Sequence, residues 1–232
     1  MDTEISRAGS HRALLGRLAG AAGLAFVALG SVSMGGKFFD TLSNGQIVSW
    51  VRSAPAEISV EGFSIGLGAT LVAFLMLHLL WCTGRRGPAP VIAALSLAVF
   101  VAVDWVAAGI YFGLAEAGKY HGADAGIVVL FALTKMTTFT DGFAVGIAFL
   151  IVNALALRTR VLAAPLAWLG IFVGVWHVLN IPLQLALTHT VDGITGPIGA
   201  GTSLLWFLAT SAMLLIRPVP SAAGRPLPAA AV

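Results

Sequence analysis

Charge is what this sequence has least of. Only 10% of its 232 residues are Asp, Glu, Lys or Arg, against 58% hydrophobic, and its mean hydropathy is +0.94. So few polar groups cannot clothe a water-soluble domain, and that class is excluded. The single cysteine, Cys82, excludes an internal disulfide framework and reads as a small apolar residue. No phosphate-cradling glycine loop, serine triad or zinc-ligand spacing occurs. Enzymatic function is therefore the reading with least behind it. The net charge of +3 is no sign of a nucleic-acid partner, because the basic residues are scattered between apolar blocks. No cofactor or metal is expected. His121 and His189 have no ligand-like spacing around them. A haem between helices needs two histidines at one depth, whereas His78 and His177 fall near opposite ends of their spans. His78, close to the end of its apolar run, reads as a hydrated or carbonyl-bonded histidine.

What is present is apolar length. Blocks of about 20 residues, the number that crosses a hydrocarbon core as a helix, mark an all-α polytopic transmembrane helix bundle with the lipid bilayer as its first partner. Six spans are expected, at 14–34, 63–82, 91–114, 127–157, 162–187 and 199–216. They follow a short N-terminal tail (1–13) and precede a Pro- and Ala-rich tail (217–232) expected to be disordered. Arg7, Arg12, Arg17, Arg85, Arg86, Arg158, Arg160, Arg217 and Arg225 fall on one side of this arrangement, and only Lys37, Arg52 and Lys119 on the other. An excess of arginine marks the cytoplasmic side, so both termini are expected in the cytoplasm of a bacterial plasma membrane.

Arg7, His11, Arg12 and Arg17 before an apolar run could also open a signal peptide with a cleavage site near Ser31 to Ser33. The run is long for that, and its Gly16, Gly20 and Gly23 suit close helix packing, so a retained first span is the expectation. Between the first two spans, 44–53 reads as a short external interfacial helix with Trp50 at headgroup level, ended by Pro55; a folded external loop is the alternative. The fourth run, from Asp124 to Leu157, would be about 51 Å long as one helix. Either it protrudes, with Asp124 as N-cap, or it breaks near its threonines and Gly142. In the fifth span, Pro182 removes the donor for the Val178 carbonyl, which predicts a kink.

The polar residues inside these runs carry the functional signal. Thr134, Thr137, Thr138 and Asp141 recur at i, i+3, i+4 and i+7, one face of a helix, with Lys135 beside them. Asp104 shares a face with Ala107, Ala108 and Tyr111, and His177, Asn180 and Gln184 form a stripe with Gly170 and Gly174. Counting from the arginine-rich ends at 1.5 Å per residue places Asp104, Asp141 and His177 at roughly 21, 24 and 22 Å. A shared level on three sequential helices predicts one outward-facing polar pocket made of Asp104, Asp141, His177, Lys135, Thr137, Thr138, Asn180 and Gln184. Lys135 could neutralise either aspartate, and His177 could share a proton with one of them. Intramembrane charges mark ion or substrate paths, or else internal ion pairs that fix packing.

The segment Arg158-Thr159-Arg160-Val161-Leu162-Ala163-Ala164-Pro165-Leu166-Ala167-Trp168-Leu169-Gly170 resembles small six-span bacterial membrane proteins grouped only as families of unknown function. In these a glycine-containing fourth span leads through an Arg-Thr turn into a Trp-Leu-Gly fifth span. Ala163-Ala164-Pro165 departs from their tighter Leu-Pro spacing. The resemblance covers about two thirds of the chain, and the Ala, Gly and Arg usage suits a high-GC bacterium. It implies fold and membrane location and brings no catalytic residues. Two functions follow from the residues. One is a small carrier or channel-like protein binding a proton, a cation or a small polar solute. The other is an interaction or regulatory subunit whose Gly-rich faces meet another integral membrane protein or a second copy of itself.

Overall fold

The computed structural model describes residues 2–33, 43–186 and 192–217. These form seven helices and no strand: α1 (Asp2–Ser33), α2 (Asn44–Ser53), α3 (Pro55–Cys82), α4 (Pro88–Ala117), α5 (Asp124–Thr159), α6 (Ala164–Ala186) and α7 (Asp192–Ile216). The all-helical class is as expected. Four stretches are long and apolar enough to cross a membrane by length and composition: Pro55–Cys82, Pro88–Ala117, Thr140–Thr159 and Ile198–Ile216. Ala13–Leu29, Asp124–Thr134 and Ala164–Asn180 are shorter apolar stretches. The C-terminal tail, apart from Arg217, and His189 lie outside the described residues.

Local chemistry sets the helix ends. Ser43 opens α2 with a capping box: its N–H donates to Gln46 Oε1 at 2.8 Å, and the Gln46 N–H donates to Ser43 Oγ at 3.4 Å. Two donors that a helix start leaves open are thereby met. Pro55 and Pro88 stand in the first turns of α3 and α4, where no intrahelical N–H is needed. Pro55 thus starts a helix rather than merely ending one, and α3 begins eight residues before the expected span at 63. Asp124 is not the N-cap of α5. Ala123 holds that position, and Asp124 sits in the first turn, where its side chain pairs with Arg52 across to α2 and meets the positive end of the helix dipole.

The fourth run does not break. α5 is 36 residues long, about 54 Å at 1.5 Å per residue. Its threonines turn back on their own helix: Thr134 Oγ1 donates to the Phe131 carbonyl at 2.7 Å and Thr137 Oγ1 to the Thr134 carbonyl at 2.8 Å. A hydroxyl satisfied this way asks for no gap in the ladder. α6 likewise stays helical through Pro182.

The six long helices form a ring. Each packs on the next long helix in sequence, and α7 packs back on α1. The contacts run antiparallel. Gly20 lies against Leu215 and Phe26 against Phe207, Gly62 against Tyr111 and Gly66 against Trp105, and Gly146 against Val178 and Gly170 against Asn153. Small residues set these distances: a Cβ at Gly174 would stand 2.8 Å from the backbone N of Leu150, closer than real Cβ contacts come. The short α2 caps one end. Its Ile47, Val48 and Val51 pack on Ile58, Leu114, Ile127 and Phe131, so this segment is a helix docked on the bundle rather than a loop. Outward faces stay apolar, with Leu18, Leu77, Leu95, Val129, Trp168 and Leu205 all exposed.

Candidate functional site: a carboxyl pair in a central cavity

The ring encloses a cavity of about 480 Å³ to which all six long helices contribute, from Phe26 of α1 to Phe207 of α7. Its wall is mostly apolar. The polar groups on it come chiefly from α4, α5 and α6: Asp104, Tyr111, Thr134, Thr137, Asp141, His177 and Asn180.

The register of α4 against α5 places the two aspartates. Leu114 clusters with Phe131, and the Tyr111 hydroxyl is hydrogen-bonded to Thr134. Two turns deeper in the same antiparallel register Asp104 meets Asp141, and their carboxyl groups share a hydrogen bond. The Gly142 N–H donates to Asp141 Oδ1, which fixes that carboxyl against its own helix. Asp104 is buried, 5% exposed.

His177 reaches the cavity because α6 comes so close to α5. A Cβ at Gly146 would stand 3.0 Å from His177 Cβ and 3.1 Å from the Gly174 carbonyl. The ring then lies along Phe149, centroids 6.3 Å apart and 27° between planes, with Nε2 3.3 Å from Ser203 Oγ. The expected sharing of a proton between His177 and a carboxylate is therefore not what forms: His177 pairs with a serine of α7, and the carboxyl groups pair with each other. One turn on, Asn180 lines the same wall with its Oδ1 buried and, among the described residues, without a hydrogen-bond partner.

Of the residues singled out in the sequence, Asp104, Thr137, Asp141, His177 and Asn180 line this one cavity. The side chains of Lys135, Thr138 and Gln184 lie outside the described ones. Ser64 and Ser203 also line it. Ser64 stands between Phe63 and Ile65 and Ser203 beside Thr202, each a small polar residue at the head of a long apolar run that gives no periodic signal. Glu61, near the Tyr111 phenol, falls just outside the span expected at 63–82.

The other polar features are structural. His78 is buried with Nε2 3.5 Å from Cys82 Sγ, a thiol one turn away. Among the described residues no group of three or more His, Cys, Asp or Glu side chains is placed to hold a metal ion. Comparison of the chain with family models, curated proteins and solved structures gives no match.

Proposed function

We propose that the protein is a small carrier or channel-like membrane protein that binds a proton, a cation or a small polar solute at Asp104 and Asp141. The observation that carries this reading is the hydrogen-bonded carboxyl pair on the wall of a cavity shared by all six long helices. Acidic groups at mid-helix are costly in lipid and face a protein interior or a wet hollow when they serve transport. Apolar outward faces support a bilayer setting, and the antiparallel alternation of six helices supports six spans. That alternation brings the α3–α4 and α5–α6 connections, with Arg85, Arg86, Arg158 and Arg160, to the same end as the start of α1 and the close of α7. A cytoplasmic location for that end, in a bacterial plasma membrane, follows from the positive-inside rule. The resemblance to small six-span bacterial membrane proteins agrees with this reading and adds no activity.

The alternative is an interaction subunit. It draws on the Gly-rich faces, but Gly20, Gly23, Gly62, Gly66, Gly146 and Gly174 all meet helices of this chain. Gly109 and Gly201 have open space beside them and are where a second membrane protein would approach. Reconstitution into vesicles separates the two. The carrier reading expects a pH- or cation-driven flux that falls at least tenfold in Asp104→Asn with yield and melting temperature kept. No flux from wild-type protein, together with a co-purifying membrane protein, overturns it in favour of the subunit.

A further inference from the structure

Resting on that carrier reading, the geometry points to a substrate class: an organic ammonium ion with N–H donors and a compact apolar or aromatic body. A cavity of about 480 Å³ falls in the range of small-molecule pockets, roughly 300–1,000 Å³, and is far too large for one bare ion. A small metal ion would need several oxygen or nitrogen donors around it, and among the described residues no group of three or more His, Cys, Asp or Glu side chains is placed to hold one. An anion would have to sit against Asp104 and Asp141, with no lysine or arginine among the described lining residues.

The rest of the wall suits an organic cation. Phe26, Phe100, Tyr111, Phe149 and Phe207 bring aromatic rings to it, and ring faces attract an ammonium group most when water is excluded. Asp104 and Asp141, side by side on this wall, are the acidic place that a cation neutralises. Asn180 Oδ1 is a buried acceptor that no described donor meets, which favours a cation that still carries N–H over a quaternary one. Apolar body, positive charge and N–H donors are thus each answered by a different part of the wall.

The test uses the full chain purified in detergent, titrated by calorimetry with 2-phenylethylammonium chloride, its neutral analogue 2-phenylethanol, tetramethylammonium and sodium. Saturable binding of 2-phenylethylammonium is expected, at least tenfold tighter than the alcohol or tetramethylammonium and not displaced by equimolar sodium. Asp104→Asn weakens it at least tenfold. Ala200→Phe, which fills the cavity from α7, abolishes it while both variants keep the wild-type melting profile. Equal binding of the alcohol, or sodium binding with no ammonium competition, overturns the proposal, and it does so on wild-type protein whether or not a variant folds. Sodium or proton flux in vesicles without ammonium binding keeps the carrier reading and removes this one. Ammonium binding without any flux keeps the ligand class and removes the carrier.

Discussion

Asn153 and Asp104 are both buried polar side chains at mid-helix, and the bundle treats them in opposite ways. Around Asn153 every space is filled. Its Nδ2 donates to the Phe149 carbonyl at 2.9 Å, its Oδ1 accepts from Trp206 Nε1 at 3.1 Å, and Gly170 leaves it room on α6. Asp104 instead meets another acid and faces a hollow. A polar group inside an apolar bundle must be met by something. At Asn153 the protein itself meets it, and at Asp104 space is kept beside it. Empty volume next to the polar group, rather than burial of the group, separates a place for a ligand from a piece of scaffold.

The largest effect should come from closing the filled region by force. In Gly170→Leu the first added carbon alone would stand 2.2 Å from the Asn153 amide, and that amide is pinned on two sides. Overpacking of this kind costs on the order of 3 kcal/mol, read as a fall in melting temperature or loss of monodisperse protein in detergent. Asn153→Leu should cost less. It strands the buried Trp206 N–H, for about 1–3 kcal/mol, and leaves vesicle flux at the wild-type level. Loss of flux with stability intact in Asn153→Leu would break the contrast between scaffold and cavity.

Asp141→Asn is expected to reverse that pattern. An amide can still hydrogen-bond to Asp104, so stability should move by less than about 1 kcal/mol, while flux falls at least tenfold. A large drop in melting temperature with flux retained would make the carboxyl pair a packing device, and the two regions would no longer differ in kind.

Much of this contrast was written in the helix rise. Because each residue adds a fixed length and sequential helices alternate in direction, depth is arithmetic, and it brings Asp104, Asp141 and His177 to one level from the sequence alone. Rotation about each helix axis is not arithmetic. It depends on which small residue lets which neighbour in, and the approach of Gly146 to Gly174 turns His177 toward Ser203 instead of toward a carboxylate. Asn153 gave no signal, being one polar residue without a periodic companion. The start of α3 was hidden for a different reason. Glu57 and Glu61 lower the hydropathy of 55–62, although Pro55 is itself a helix-start residue.

The smallest effect belongs to the ion pair at the end of the bundle. Arg52 reaches from α2 to Asp124 at the start of α5, with side chains 33% and 58% exposed. Water reaches both charges, and two side chains must be held still to keep them together. Such pairs contribute about 0–1 kcal/mol, and α2 is held by Ile47, Val48 and Val51 in any case. Arg52→Gln should therefore lower the melting temperature slightly in dilute buffer. The difference should shrink as salt is raised, because charges at an exposed surface are screened. Asp104 and Asp141, on the cavity wall inside the ring, should show a weaker salt dependence when Asp141→Asn is melted beside wild type. If both variants respond to salt alike, the cavity is as wet as the outer surface. An ammonium ion would then gain little there over bulk water.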